Sequence, residues 1–173
     1  MRLLASPVVV CTSRDRDQCV NRAMTMSSFT SLTLYPTPLV TFNIATPSRT
    51  LDAISSSGAF NIHILAGDEH GAAVADHFTR GNIDGIFEGL GPVAMQREEG
   101  DGPPLLIGDG ILRVLNCKVL QDEKQSGLVR VRDHVIVVGE VMDMIPGKQS
   151  KEFGLAYADR QYRQIGDVIA RDE

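Results

Sequence analysis

The order in which strand-like and helix-like runs follow one another constrains this chain more than any other feature. Val8–Cys11, Met24–Leu34 and Leu39–Ile44 read as strands, the middle one loosely alternating and rich in Ser and Thr. A short helix opens at Ser48, Phe60–Leu65 is a strand, and a second helix runs from Asp68 to about His77. Strands return at Ile111–Val119 and His134–Ile145, separated by the polar stretch Gln121–Gly127. A parallel sheet needs a crossover helix between successive strands, and here strands follow strands at both ends of the chain. The pattern therefore predicts a mainly β chain of the α+β type, or a β-barrel with helical insertions. At 173 residues, one core suffices, because single cores are comfortable up to roughly 200 residues. Residues 1–173 are read as one domain.

Local signals place the boundaries. Pro36 and Pro38 in Tyr35-Pro36-Thr37-Pro38 fix φ and drive their predecessors extended, which makes a rigid turn between two strands. Ser48 is suited to cap the first helix, Leu51 and Ile54 form its buried stripe, and Gly58 stands where a C-terminal glycine belongs. In Phe60–Leu65 the side chains of Phe60, Ile62 and Ile64 share one face, and Asn61, His63 and Leu65 the other. Val74 and Phe78 give the second helix its inward side. Thr79–Pro104 is irregular, with Gly81, Gly85, Gly89, Gly91, Gly100 and Gly102 and an acidic patch at Glu98, Glu99 and Asp101. A segment of this kind is a functional excursion or a mobile one.

Composition excludes several classes. Lys plus Arg number 17 against 22 Asp plus Glu, a net charge of −5, whereas nucleic-acid binders cluster cations to displace phosphate counterions. Aromatic residues are 5% and Trp is absent, which leaves little for base stacking. No stretch approaches the ~18 apolar residues of a membrane span. Near the start, Pro7 interrupts the apolar run and no small-x-small site follows, so Val8–Cys11 reads as a strand and not a leader. Cys11, Cys19 and Cys117 are odd in number and form no C-x-x-C pair, so they are expected to be free thiols in a reducing, cytoplasmic setting without metal. No G-x-G-x-x-G, P-loop or G-x-S-x-G is present.

Three segments carry groups that suit a polar ligand. Met24–Ser31 is hydroxyl-rich, and Thr25, Ser27 and Ser28 suit the edge of a flat heterocycle; an exposed edge or turn has the same composition. Asn43–Thr50 ends at a helix start, where unpaired N–H groups, Ser48, Arg49 and Thr50 suit a phosphate; plain capping with a solvated Arg fits too. Asp133-His134 opens an apolar strand, where the carboxylate orients an imidazole that is either functional or structural.

Taken in order, these segments resemble the flavin reductase-like domain, the family of FMN-binding split barrels. The family pattern A-x-T-x-S-S-F-x-S corresponds to Ala23–Ser31. The Pro turn, apolar strand and S-x-T correspond to Tyr35–Pro38, Leu39–Ile44 and Ser48–Thr50. Phe60–Leu65, Ala75–Phe78, Asp133–Val141 and the closing Leu155-Ala156-Tyr157 with Tyr162–Gly166 follow in the same order. The likeness extends from Pro7 to Gly166. It departs at Arg132, where the family has Gly before Asp-His, and in Thr79–Pro104, which has no close counterpart.

The resemblance implies a split β-barrel with short helices, usually a homodimer, and NAD(P)H-dependent reduction of flavin by hydride transfer to flavin N5. It implies FMN as the flavin, with FAD as an alternative. Thr25, Ser27 and Ser28 would meet the ring edge, and Asn43 and Ile44 the ribityl chain. Ser48, Arg49 and Thr50 would take the phosphate, with Phe78 and Arg80 closing that end. His134 would position the nicotinamide, with Tyr157 or Tyr162 near the same face, and no side chain is required as acid or base. A flavin-dependent monooxygenase receiving the reduced flavin is the partner the family suggests. A tight FMN flavoprotein acting on another small molecule and a non-catalytic flavin-binding module are the alternatives.

Overall fold

A computed structural model describes residues 2–91, 93–96, 102–122, 126–147 and 153–169. The acidic patch Glu98, Glu99 and Asp101 lies outside the described residues. β1 (Ser6–Pro7) and β2 (Val9–Asp15) lead into β3 (Val20–Met26), β4 (Thr30–Thr33) and β5 (Leu39–Ala45). Then come α1 (Arg49–Ser57), β6 (Ala59–Leu65), α2 (Glu69–Thr79), β7 (Val93–Gln96) and β8 (Leu105–Gly108). β9 (Ile111–Val119), β10 (Leu128–Val131), β11 (His134–Pro146), β12 (Ala156–Ala158) and β13 (Gln161–Arg163) follow.

Eight strands form one antiparallel sheet in the order β3-β2-β6-β9-β11-β5-β4, with β10 added to β11. Among the described residues no ladder joins β3 to β4, so the sheet curls round a core without closing. This is a split barrel, mainly β, with two short helices. Its interior holds Val9, Phe42, Ile44, Phe60, Ile62, Leu115, Val135 and Val137, and Leu51 and Ile54 of α1 pack into the same cluster. Phe42 and Phe60 meet edge to face at 5.3 Å. Gly139 on β11 is what admits Phe60 there, because a Cβ at that position would collide with the Phe60 ring. A second apolar cluster lies under α2 and the segment beyond it, with Val10, Leu65, Val74, Phe78, Ile86, Val93 and Leu106.

Both helices begin, and α1 also ends, where their local chemistry dictates. Ser48 accepts from the Leu51 N–H, and Gly58 closes α1 at φ 68° with its N–H on the Ile54 carbonyl. Asp68 accepts from the Gly71 N–H at the start of α2.

Two expectations need correction. Met24–Leu34 is not one strand: β3 ends at Met26 and β4 starts at Thr30, with Ser27, Ser28 and Phe29 between them. Thr79–Pro104 is not wholly irregular, since Val93–Gln96 pairs with Leu105–Gly108. Both faces of β6 are covered, since Asn61 and His63 are fully buried. Asn61 Nδ2 donates to the Pro103 and Pro104 carbonyls, and Asn116 Nδ2 donates to Asn61 Oδ1. His63 Nε2 accepts from the Leu106 N–H at 3.0 Å, while Nδ1 stands 3.1 Å from the Val10 carbonyl. A buried layer of side chains thus stitches the Pro103–Leu106 stretch to the barrel. A strand loses its solvent face when a later loop folds across it, and periodicity within the strand does not report that.

Candidate functional site

β3 is an edge strand, and its register determines what it offers outward. Thr12 pairs with Ala23 and Val10 with Thr25. Ala23 turns its N–H and C=O away from β2, to Asn82 Oδ1 at 2.8 Å and Thr50 Oγ1 at 3.3 Å. Residues two apart on an antiparallel strand point their main-chain groups the same way, so those of Thr25 face the same edge. The Thr25 hydroxyl donates to the Ala75 carbonyl of α2. Just beyond, Thr25 and Ser27 line a cavity of about 150 Å³ with Val8, Met26, Thr79, Tyr157 and Tyr162.

The two tyrosines reach that cavity from the small sheet β1-β12-β13. Tyr157 lies opposite Tyr162 in the β12–β13 register, and their rings stand 5.6 Å apart. Burial, Asp76 and Tyr157, in that order, push the Tyr162 phenol up, so it stays neutral and can donate at physiological pH. An apolar rim with a few hydroxyls suits the edge of a flat, acceptor-rich ring.

Ser28 and Asn43 are brought together: the Ser28 hydroxyl donates to the Asn43 carbonyl and accepts from its N–H, both at 3.1 Å. Asn43 itself is exposed, while Ile44, one residue on, is buried inside the barrel at 2% exposure. The Ile44 side chain thus packs inside the barrel and its main chain faces Val135 of β11, because that of Asn43 faces Ser28.

β5 runs on to the start of α1. Ser48 accepts from the Leu51 N–H at 3.3 Å, which leaves its own proton to donate outward. Arg49 is exposed at the first turn. The helix start offers the positive end of its dipole and the first N–H groups not taken by Ser48, and Arg49 adds a cation at the first position, a donor set that fits a phosphate. Thr50 plays a different part: it is 1% exposed, and its hydroxyl is occupied by Ala23 and Asn82.

Phe78 and Arg80 are not gathered into this arrangement. Phe78 is buried against His77 and Phe87. Arg80 lines a separate cavity of about 340 Å³ with His70, Asp76, His77 and Leu90. The A-x-x-F motif thus reads as packing.

His134 begins β11, opposite Ala45 of β5 and Val131 of β10. Its Nδ1 lies 3.0 Å from Asp133 Oδ1, in the open, with 45% of the His134 side chain exposed. That contact holds the Asp133 carboxyl below its ordinary value. The turn is fastened to the approach to α1, because the Thr46 N–H and hydroxyl both donate to the Asp133 carbonyl at 2.8 and 3.0 Å. Arg132 sits in it at φ 55°, a left-handed conformation that glycine adopts without strain. His134 does not line the cavity holding Tyr157 and Tyr162. Asn82, Thr79 and Val8 join the site without any sequence signal. Among the described residues no group of His, Cys, Asp and Glu could hold a metal, and no helix is long and apolar enough to cross a membrane.

Residues 1–166 match the family model described as "Flavin reductase like domain". An NADH-dependent flavin reductase of Rhodococcus sp is 30% identical over 140 residues, covering 81% of this chain and 69% of that protein. A Sinorhizobium meliloti 1021 protein named as an oxidoreductase is 29% identical with TM-score 0.70 over 92% of this chain. This chain spans about half, 49%, of that protein's length. Component B of nitrilotriacetate monooxygenase from Mycobacterium thermoresistibile shares the fold, with TM-score 0.76, 24% identity, and coverage of 98% of this chain and 87% of its own. This split barrel, matched to that model over nearly its whole length, belongs to the flavin reductase-like domain family.

Proposed function

We propose that this protein is an NAD(P)H-dependent flavin reductase acting on FMN, with FAD as an alternative flavin. The observation that carries the reading is the common mounting of two ligand ends. Thr25 and Ser27 face the 150 Å³ cavity at one end of the β3 edge, and the Ser48–Arg49 turn of α1 stands by Ala23 farther along it. A flavin supplies the redox chemistry when bound, taking a hydride at N5 from the nicotinamide. The chain binds and orients. Thr25, Ser27 and Ser28 meet the ring edge, Asn43 the ribityl chain, and Ser48 and Arg49 the phosphate. His134, steered by Asp133, holds the nicotinamide carboxamide, and Tyr157 and Tyr162 exclude water from the ring. No proton transfer from a side chain is needed in the hydride step.

The working unit is a homodimer of single-domain chains. On the outer face of β10 and β11, Val129 lies opposite Ile136 and Val131 opposite His134, leaving an exposed apolar strip. A second copy seated there would bring His134 under cover, where its hydrogen bonds strengthen. Three free cysteines, two of them buried, suit a reducing cytoplasm. The reduced flavin would pass to a flavin-dependent monooxygenase.

The deciding experiment is anaerobic mixing of purified protein, FMN and NAD(P)H. Bleaching of the flavin band near ~450 nm is expected to depend on both enzyme and nicotinamide. Flavin binding without bleaching would leave a binding module and sink the enzymatic reading.

A further inference from the structure

We propose that Asn82 is a positioning residue for the flavin phosphate, acting through Thr50 and Ala23. The inference rests on the reading above that the Ser48–Arg49 turn holds that phosphate. Asn82 follows α2, within the segment that had no family counterpart. Its amide closes a ring of three hydrogen bonds: Ala23 N–H to Oδ1 at 2.8 Å, Nδ2 to Thr50 Oγ1 at 2.9 Å, and the Thr50 hydroxyl to the Ala23 carbonyl at 3.3 Å. The direction of each bond is forced. The Ala23 N–H needs an acceptor, so Oδ1 must face it. Nδ2 then faces Thr50, whose oxygen must accept, and the Thr50 proton is left for the Ala23 carbonyl.

Ala23 is fully buried and lies on the edge strand, where, among the described residues, no neighbouring strand pairs with its outward N–H and C=O. Asn82 and Thr50 supply the pairing such a strand would give. The ring joins residues 27, 32 and 59 positions apart in sequence. It locks α1, at its second residue, to the strand that two residues later carries Thr25. The spacing between ring-edge contacts and phosphate turn is thereby held from outside the pocket. A flavin spans both ends, so a loosened ring misplaces one end relative to the other, and only a ligand that uses both suffers. Without the phosphate, riboflavin uses one.

The test is flavin affinity by fluorescence quenching, with FMN and riboflavin, alongside steady-state NAD(P)H oxidation. Asn82→Ala is expected to raise the Kd and KM for FMN at least fivefold, with riboflavin and kcat within twofold of the parent. Thr50→Val should reproduce this and Thr50→Ser should not. Arg49→Gln tests the underlying reading, because it must lower the FMN preference over riboflavin if the phosphate sits there. Asn116→Ala, which removes a bond to Asn61, controls for lost stability and should leave the preference intact. If Asn82→Ala weakens both flavins equally, or neither, while Arg49→Gln lowers the preference, the role of Asn82 is refuted and the phosphate reading stands. If Arg49→Gln leaves the preference unchanged, the phosphate reading fails and takes the proposal with it. Should Asn82→Ala not fold, Thr50→Val against Thr50→Ser decides the same question.

Discussion

His63 should make this fold acid-sensitive within a defined window. Its imidazole is fully buried between the Val10 carbonyl and the Leu106 N–H. Because Nε2 accepts from Leu106, the proton sits on Nδ1 and is donated to Val10, so a second proton could enter only by breaking the Leu106 bond. Burial lowers the pKa from 6.5 to about 4, against a smaller upward pull from the Val10 bond. Above pH 6.5 neither the folded nor the unfolded chain carries this proton, and the site adds no pH dependence. As the pH falls from 6.5 towards 4, the unfolded chain takes it up and the folded chain does not. Stability then declines by up to about 1.4 kcal/mol per pH unit. The loss reaches about 3 kcal/mol near pH 4 and levels off below it, where both states are protonated. The assay is urea denaturation of the parent and of His63→Gln from pH 8 to 4. His63→Gln is expected to be the less stable protein at pH 8 by about 1–3 kcal/mol, through imperfect pairing of the buried Val10 and Leu106 groups. Its disadvantage should shrink or reverse at pH 4.5. A stability difference that stays constant over the whole range would refute the reasoning, since no titration of His63 would then be linked to folding.

Other consequences follow from single positions. Arg132→Gly, which places the family's residue in the turn, should raise stability by about 0.5 kcal/mol in urea melts, since relief of left-handed strain is partly offset by unfolded-chain entropy. Gly139→Ala drives a methyl group into the Phe60 ring and should lower stability by about 1–3 kcal/mol, in the same assay. His134→Ala should raise the KM for NAD(P)H on the order of tenfold, the loss of roughly one hydrogen bond to a polar ligand, while the flavin Kd moves less than twofold. Equal losses for nicotinamide and flavin would contradict the assignment of His134 to the nicotinamide side.

What was legible in the chain, and what was not, divides by the range of the physics involved. Ser48, Gly58 and Asp68 announce their helix ends because a cap bonds to main chain within three or four residues of itself. β9 runs from Ile111 to Val119, as read from its Val/Ile/Leu-rich sequence, and β5 runs one residue past the Leu39–Ile44 read from its apolar content, because a strand buried on the barrel wall needs little else. The burial of Asn61 and His63 had no such signal. It depends on Pro103–Leu106, some 42 residues later, folding across them. The same holds at the site. Ser48 and Arg49, the proposed phosphate ligands, are visible because a helix start offers unpaired N–H groups wherever it occurs. Thr50, one residue further, looks like a third phosphate ligand in sequence and is occupied in the structure, because Asn82 arrives from 32 residues away. Phe78 and Arg80 illustrate the converse: two residues separate a core side chain from an exposed cation, and a linear motif assigns both to the ligand. Motifs identify the groups a site can draw on; the long-range hydrogen bonds decide which of them remain free to meet the ligand.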